Sequence, residues 1–492
     1  MHLLLPAGWL WLMNLSTPQL LNSSTPPKRA VITVSKDIDS QYAIAYDKFV
    51  QSNIKSAYQD FRNLLESIIP NDYSYINMAE KMAEIGLFNL SDLAMSKVSD
   101  KEITNIAADN IRTYYFPAKK LKRDDEIYLA ELYSDITYND QSREAASELV
   151  KNTVLMANSD YANYIAALGY LKSGDTVNAE KFIDSAIKLN NENINYKSLQ
   201  AQILAQGKKP ENAMKIVDEI KHKQLNSYYF ANKANSVEQY VLYKTKKNEF
   251  EKNYHLGYYY YYEGELNKAL RALQGAVSTK KKMNGDVYAL MSRVYFDMNE
   301  FEKAQDTAMK AYKIDNKDPM VLLVLGDLNF RDKNYKSALE YYKTASSKAP
   351  NSSLPLIKVA QTYQMLDKEK KAIEIYDKIL RTFSDAYLAY YYVALKDKSK
   401  ELAYLKKSVA INMSFKDGWI DLGRVEIERS NFDLAKKYLS IANYIDENDF
   451  RYYYYQGLVC KNQGLADEAN SNFKKSLSLN PDYLPAKKEL SI

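Results

Sequence analysis

The sequence predicts an all-α protein, an α-solenoid of about twelve antiparallel helix-turn-helix repeats, on three observations. Trp419, Leu422, Gly423, Ala435 and Ala442 return as Tyr453, Gln456, Gly457, Ala469 and Ser476, each 34 residues later. In each copy the first three positions suit one face of a helix and the last two suit one face of a second helix, so one copy is a helical hairpin. A small residue also recurs at Ala57, Ser91, Ala145, Ala179, Ala213, Ala269, Ala304, Ala338, Ala372, Ala403, Ala435 and Ala469. Finally, 14 Gly and 12 Pro among 492 residues are too few for a sheet-rich fold with many tight turns. A repeat array grows by stacking, so this length does not require several separate globular domains.

Taken in order, residues 1–37 open with an apolar run, Leu3–Met13, interrupted by Pro6 and Gly8 and followed by a polar stretch ending at Lys28 and Arg29. The run is too short to span a bilayer as a helix. Its length suits a secretory signal, but no Lys or Arg precedes it and no small-x-small cleavage site follows. Export or membrane association through this segment, as in a bacterial envelope protein, and an unstructured cytoplasmic leader therefore stand as two open expectations.

Residues 38–220 form a first array. A connector follows at 221–249, then a second array at 250–483 and a capping helix at 484–492. The small residue steps by 54 between Ser91 and Ala145 and by 56 between Ala213 and Ala269, against about 34 elsewhere. Each long step holds about 20 extra residues, around Asp100–Asp125 and Lys221–Glu249, and both read as lengthened or additional helices. The copy around Ala403 is compressed, with two readings of its helix register. Lys487, Lys488 and Glu489 suit a polar helix covering the last exposed face of a solenoid.

Gly423 and Gly457 sit mid-helix, where glycine costs about 1 kcal/mol against alanine. A close approach by a neighbouring helix offsets that loss, and a bulky residue there would overpack the joint by roughly 1–3 kcal/mol. This pattern resembles the tetratricopeptide repeat family. Phe450–Tyr483 matches through Tyr453, Gly457, Ala469, Phe473 and Pro481, and departs at Gln456, Cys460 and Ser476. Lys416–Asp449 matches through Trp419, Leu422, Gly423, Ala435 and Ala442, with Glu426 and Glu447 where Tyr and Pro are expected. Good central copies carry Leu256, Gly257, Tyr260, Ala269 and Ala276; Tyr288, Tyr295, Ala304 and Ala311; and Leu325, Gly326, Ala338, Ala345 and Pro350. The resemblance implies a right-handed superhelix whose first helices line a concave groove that binds a protein or peptide segment.

Catalytic chemistry is hard to place. His2, His222 and His255 are the only histidines, and none lies at ligand spacing from another or from Cys460. The sequence holds no phosphate-binding glycine loop, nucleophile elbow or acidic calcium loop, so it calls for no enzyme activity, cofactor or metal. Cys460 falls at an inward-facing position and reads as a small core residue. With 67 basic and 62 acidic side chains the net charge is only +5, which disfavours nucleic acid. The basic clusters at Lys119–Arg123, Lys244–Lys247 and Lys280–Lys282 read as solvated helix ends.

Aromatic residues carry the functional expectation. Tyr258 to Tyr262 are consecutive, and at about 100° per residue they cover the whole circumference of a helix, so they cannot all be core. The family resemblance assigns Tyr260 to the hairpin core and Tyr254, Tyr258 and Tyr261 to the groove; Tyr262 adjoins them. The same resemblance places Tyr42, Tyr46 and Phe49, Tyr161 and Tyr164, Phe296, Phe330 and Tyr454 at groove positions. Tyrosine presents a large apolar area with a polar tip and little rotamer entropy, which suits a binding surface. The Lys, Asn, Asn, Lys, Arg set with which some family members clamp a chaperone's C-terminal carboxylate cannot be assembled here. A non-enzymatic protein-interaction scaffold is the expected function. An envelope protein contacting glycans and a helical-repeat RNA reader are the rivals.

Overall fold

A computed structural model describes residues 35–67, 72–139, 141–223, 228–279, 285–383 and 386–491. The described residues contain 28 α-helices and no strand. The apolar segment Leu3–Met13 lies outside them. No described helix is long and apolar enough to cross a membrane.

The predicted small residues mark the second helices. Ala57, Ser91, Ala145, Ala179, Ala213, Ala269, Ala304, Ala338, Ala372, Ala435 and Ala469 each occupy the fourth residue of a helix and are buried. Ala403 is the exception, being exposed at the third residue of the helix Glu401–Ile411. In that helix Glu401, Leu405 and Ser408 are buried, the same spacing as Ala435, Leu439 and Ala442. The register therefore runs through Glu401, whose carboxylate is bonded to Arg424 at 2.6 Å and Lys398 at 2.8 Å. The compression falls on the preceding helix, Tyr387–Ala394, which has only 8 residues.

Each hairpin turns in the same way. In ten of them the residue two before the second helix is left-handed, from Ser52 at φ 57° through Gly264 at 75° to Gly464 at 79°. The backbone then closes a paired bond, as in Gly264 N–H to Tyr261 O and Glu265 N–H to Tyr260 O, 3.0 and 2.8 Å. These bonds satisfy carbonyls that the helix end leaves open. Lys208, Asn299, Lys333, Asp367 and Ser430 take this conformation without being glycine, so tertiary packing imposes the turn against a local cost of about 1–2 kcal/mol.

The mid-helix glycines are where the helices of a hairpin touch. A Cβ built on Gly257 would lie 2.6 Å from Leu273, on Gly326 2.5 Å from Tyr342, on Gly423 2.6 Å from Leu439 and on Gly457 2.5 Å from Phe473. No side chain fits at such distances, which accounts for glycine at a position where helix propensity disfavours it.

The chain divides into two compact units. The described part of one unit consists of Pro117–Lys119 with the chain from residue 141 to Ala389. It holds the hairpins Asp160–Lys172 with Thr176–Leu189, Ile194–Gln206 with Pro210–His222, Glu249–Tyr262 with Leu266–Thr279, Gly285–Asp297 with Phe301–Ile314, Pro319–Arg331 with Tyr335–Lys348, and Ser353–Met365 with Glu369–Thr382. The second long step supplies an additional helix, Tyr228–Thr245. Val237 and Val241 of that helix close a core with Ala201, Leu204, Ala213 and Val217.

The described part of the other unit brings together early and late segments: residue 35 to Phe116, Lys120–Asn139, and from Tyr390 onward. The first long step supplies the helix Lys101–Tyr115. Of the two helices expected to pair around Ala145, Arg123–Tyr138 belongs to this unit and Ser142–Leu149 to the other. Early and late repeats meet directly here. Tyr73 and Ser414 share a hydroxyl hydrogen bond of 2.7 Å, Tyr438 donates to Asp100 at 2.7 Å, and Lys406 pairs with Glu102 at 2.7 Å. At its far end Leu484–Glu489 seats Ala486 in the interior, and Glu489 pairs with Lys461 at 2.6 Å.

A buried carboxyl in this unit makes stability pH-dependent. Glu126 accepts from the Asn89 backbone N–H at 2.6 Å and from Asn89 Nδ2 at 2.8 Å, holding the start of the helix Phe88–Ser96. Burial pushes its carboxyl up to about 7, against the lowering effect of those bonds and of Lys120. Because the folded value is raised, the stabilising contribution is complete below the ordinary carboxylate value and is lost as pH rises through about 7. The loss should be on the order of 2–3 kcal/mol between pH ~4.5 and ~7. Unfolding midpoints of the wild type and Glu126→Gln across that range should diverge by this amount, and parallel curves would refute the assignment.

Candidate functional site

In the helix Glu249–Tyr262, steps of four residues bring Phe250, Tyr254, Tyr258 and Tyr262 into one stripe. Ring centroids follow at 6.4 Å for Phe250 to Tyr254, 5.2 Å for Tyr254 to Tyr258 and 6.1 Å for Tyr258 to Tyr262. Tyr261 lies beside the stripe, 5.7 Å from Tyr262. All four tyrosines are half-buried. Tyr254, Tyr258 and Tyr261 pack onto a core formed by Leu273, Val287, Leu290 and Val294. The Tyr258 hydroxyl reaches the Met320 sulfur at 3.9 Å, on the first turn of Pro319–Arg331. Burial pushes the Tyr254 phenol up to about 12 and Tyr258 well above its usual range, so both remain hydroxyls at neutral pH.

Beside the stripe a buried polar ladder crosses successive first helices. Tyr261 donates to Asp297 at 3.1 Å, and Arg293 pairs with Asp297 at 2.8 Å and with Asp327 at 3.0 Å. Asp327 also takes Lys358 Nζ at 3.0 Å and the Tyr342 hydroxyl at 2.6 Å. The Arg293 and Asp327 side chains are only 9% and 3% exposed. Burial alone would push the Asp327 carboxyl up, but Lys358 and Arg293 outweigh it and hold it low. The charges within the ladder compensate one another, so its role is to fix four first helices side by side.

Two stretches, residues 290–353 and residues 450–483, match models of the tetratricopeptide repeat. The chain is a tetratricopeptide-repeat protein. Among solved structures it is similar to the Cut9–Hcn1 hetero-tetramer of the APC/C, at 12% identity over 93% of this chain and 96% of that one, with a TM-score of 0.46. It is also similar to pilF of Pseudomonas aeruginosa, at 17% identity over 49% and 97% of the two chains, TM-score 0.30. A third is YrrB, described as a TPR protein with an unusual peptide-binding site, at 15% identity over 45% and 100%, TM-score 0.26. No curated protein matches the sequence.

Within this tetratricopeptide-repeat protein the predicted groove residues divide in two. Tyr254, Tyr258, Tyr261 and Tyr262 come together, and Phe330 is half-buried on a later first helix, stacked edge-on against Tyr335 at 5.2 Å. Tyr161, Tyr164 and Phe296 are interior instead, 3%, 8% and 5% exposed. Tyr164 stacks on Tyr161 at 5.7 Å and on Tyr196 of the next repeat at 5.2 Å, and Phe296 meets Phe301 at 5.5 Å. Tyr42 and Phe49 are buried too: Tyr42 packs against Phe61 of the next helix at 5.4 Å, and the helix Arg123–Tyr138 brings Tyr133 and Tyr138 onto Phe49. Tyr260, assigned to the core, is half-buried and packs against the same core as Tyr254 and Tyr258, with Lys268 over its ring at 5.6 Å. Cys460 is buried, and burial raises its thiol.

Acidic residues near the stripe escape a sequence reading. Asp318 caps Pro319–Arg331 by accepting from Met320 N and Val321 N at 2.8 and 2.9 Å. Asp286 is exposed in the first turn of Gly285–Asp297. Aspartate before a helix reads as a cap and nothing more. Among the described residues, no His, Cys, Asp and Glu side chains group into a metal-binding set.

Proposed function

We propose that this protein is a non-enzymatic scaffold that docks an extended or helical segment of a protein partner against the face made by Tyr254, Tyr258, Tyr261 and Tyr262. Tetratricopeptide-repeat proteins in general act as protein-interaction scaffolds, and the observation that carries the finer reading is the unbroken tyrosine stripe. Its rings offer apolar area, while hydroxyls that stay protonated provide hydrogen-bond donors and acceptors along a bound backbone. The ladder from Tyr261 to Lys358 supports this reading by holding the surrounding first helices in fixed register, so that little ordering accompanies docking.

Tyr254→Ala combined with Tyr262→Ala should abolish capture of a partner that the wild-type chain retains from the native organism. Helical content should stay unchanged and stability fall by only about 1–2 kcal/mol, as expected for half-buried side chains. Undiminished capture by the folded variant would refute the site.

A further inference from the structure

We infer that the tyrosine stripe takes a basic segment, with a lysine or arginine side chain lying against Tyr254 and Tyr258 and its cationic head between Asp286 and Asp318. This rests on the docking reading above and names the chemistry of the partner. The contact from Tyr258 to Met320 places the stripe at the start of Pro319–Arg331, two residues from Asp318. Asp286 stands at the start of the preceding first helix, whose Val287 and Leu290 pack under the same tyrosines.

Both carboxylates have capacity to spare. Asp318 Oδ1 accepts the two cap bonds, and no hydrogen bond engages Oδ2 among the described residues. Asp286 has no ion pair among the described residues and is exposed. The Asp318 carboxyl is pushed up by burial and, beyond its cap bonds, by the nearby carboxylates of Asp286 and Asp315. A bound cation relieves that repulsion, and an anionic ligand aggravates it. A tyrosine ring beside the head adds cation–π attraction of about 0.5–2 kcal/mol when partly desolvated, and the apolar stem of the side chain covers ring surface. The chain's net charge of +5 repels a basic peptide at long range, so affinity for one reports local complementarity rather than bulk attraction.

The test uses the full chain and fluorescence anisotropy with labelled nonapeptides of alternating Ala and Arg, Ala and Glu, or Ala and Gln. The arginine peptide should bind at least about tenfold more tightly than either other peptide. Asp286→Asn with Asp318→Asn should weaken it by about tenfold or more while the melting profile holds, because asparagine still caps a helix. Equal binding of the three peptides, or no effect of the asparagine pair, overturns the basic-segment inference. If Tyr254→Ala with Tyr262→Ala still abolishes partner capture in that event, the docking site itself stands. If the alanine pair changes neither peptide binding nor capture, both readings fall. Tighter binding of a single-stranded oligouridine than of the arginine peptide also overturns the inference. So does a concentration-dependent dimer in sedimentation that the asparagine pair abolishes, since it would make a second copy the occupant.

Discussion

Asp327→Ala is expected to destabilise the second array by about 3–5 kcal/mol, the cost of stranding buried charge. The substitution removes the one carboxylate shared by Arg293, Lys358 and Tyr342 and leaves two cations and a hydroxyl with fewer partners. Repeat arrays need not unfold in one step, so the informative measurement is hydrogen exchange within Pro319–Arg331 alongside a denaturant midpoint. Adding Lys358→Met should recover part of the loss by removing one stranded charge. Acid should mimic the alanine change. The folded Asp327 carboxyl is held low, so its contribution is present above the ordinary carboxylate value and lost as pH falls through the folded one. A loss below about 1 kcal/mol would mean that water screens the ladder as it does a surface pair.

Gly257→Leu should be nearly as damaging, by roughly 1–3 kcal/mol or more, because even its Cβ would stand 2.6 Å from Leu273 Cδ2. The clash is with a side chain on the facing helix, so Leu273→Ala should rescue it. The single changes should therefore combine far from additively. Thermal and denaturant unfolding of the four members of the cycle measure this. Independent effects would show that the two helices do not meet at Gly257.

Both expectations depend on features that a sequence exposes to different degrees. Gly257, Gly326, Gly423 and Gly457 recur in phase with the alanines of the second helices, and periodicity alone pairs them. The polar ladder left a fainter trace. Arg293 and Asp327 are opposite charges one repeat apart, at the same place in adjacent first helices, but isolated charges on a helical pattern look like solvated faces. Glu401 was masked in the same way, since a buried glutamate replaces the expected alanine only because Arg424 and Lys398 neutralise it. Among the aromatics, position within the repeat could not separate a groove from a covered face. Tyr164 is covered by Tyr196 of the following repeat and itself covers Tyr161, and Phe49 is buried by a helix that interrupts the repeat pattern. A nearest-neighbour pattern also holds no information about contacts between early and late repeats.

Those contacts bear on how the protein is made. The hydrogen bonds from Tyr73 to Ser414 and from Tyr438 to Asp100 join residues 341 and 338 positions apart. An array with only adjacent contacts can consolidate each hairpin as it leaves the ribosome. Here the helices Asp72–Glu84 and Lys101–Tyr115 await partners translated roughly 15–70 seconds later at about 5–20 residues per second. Throughout that interval the apolar side chains destined for the late repeats are open to water and to neighbouring nascent chains.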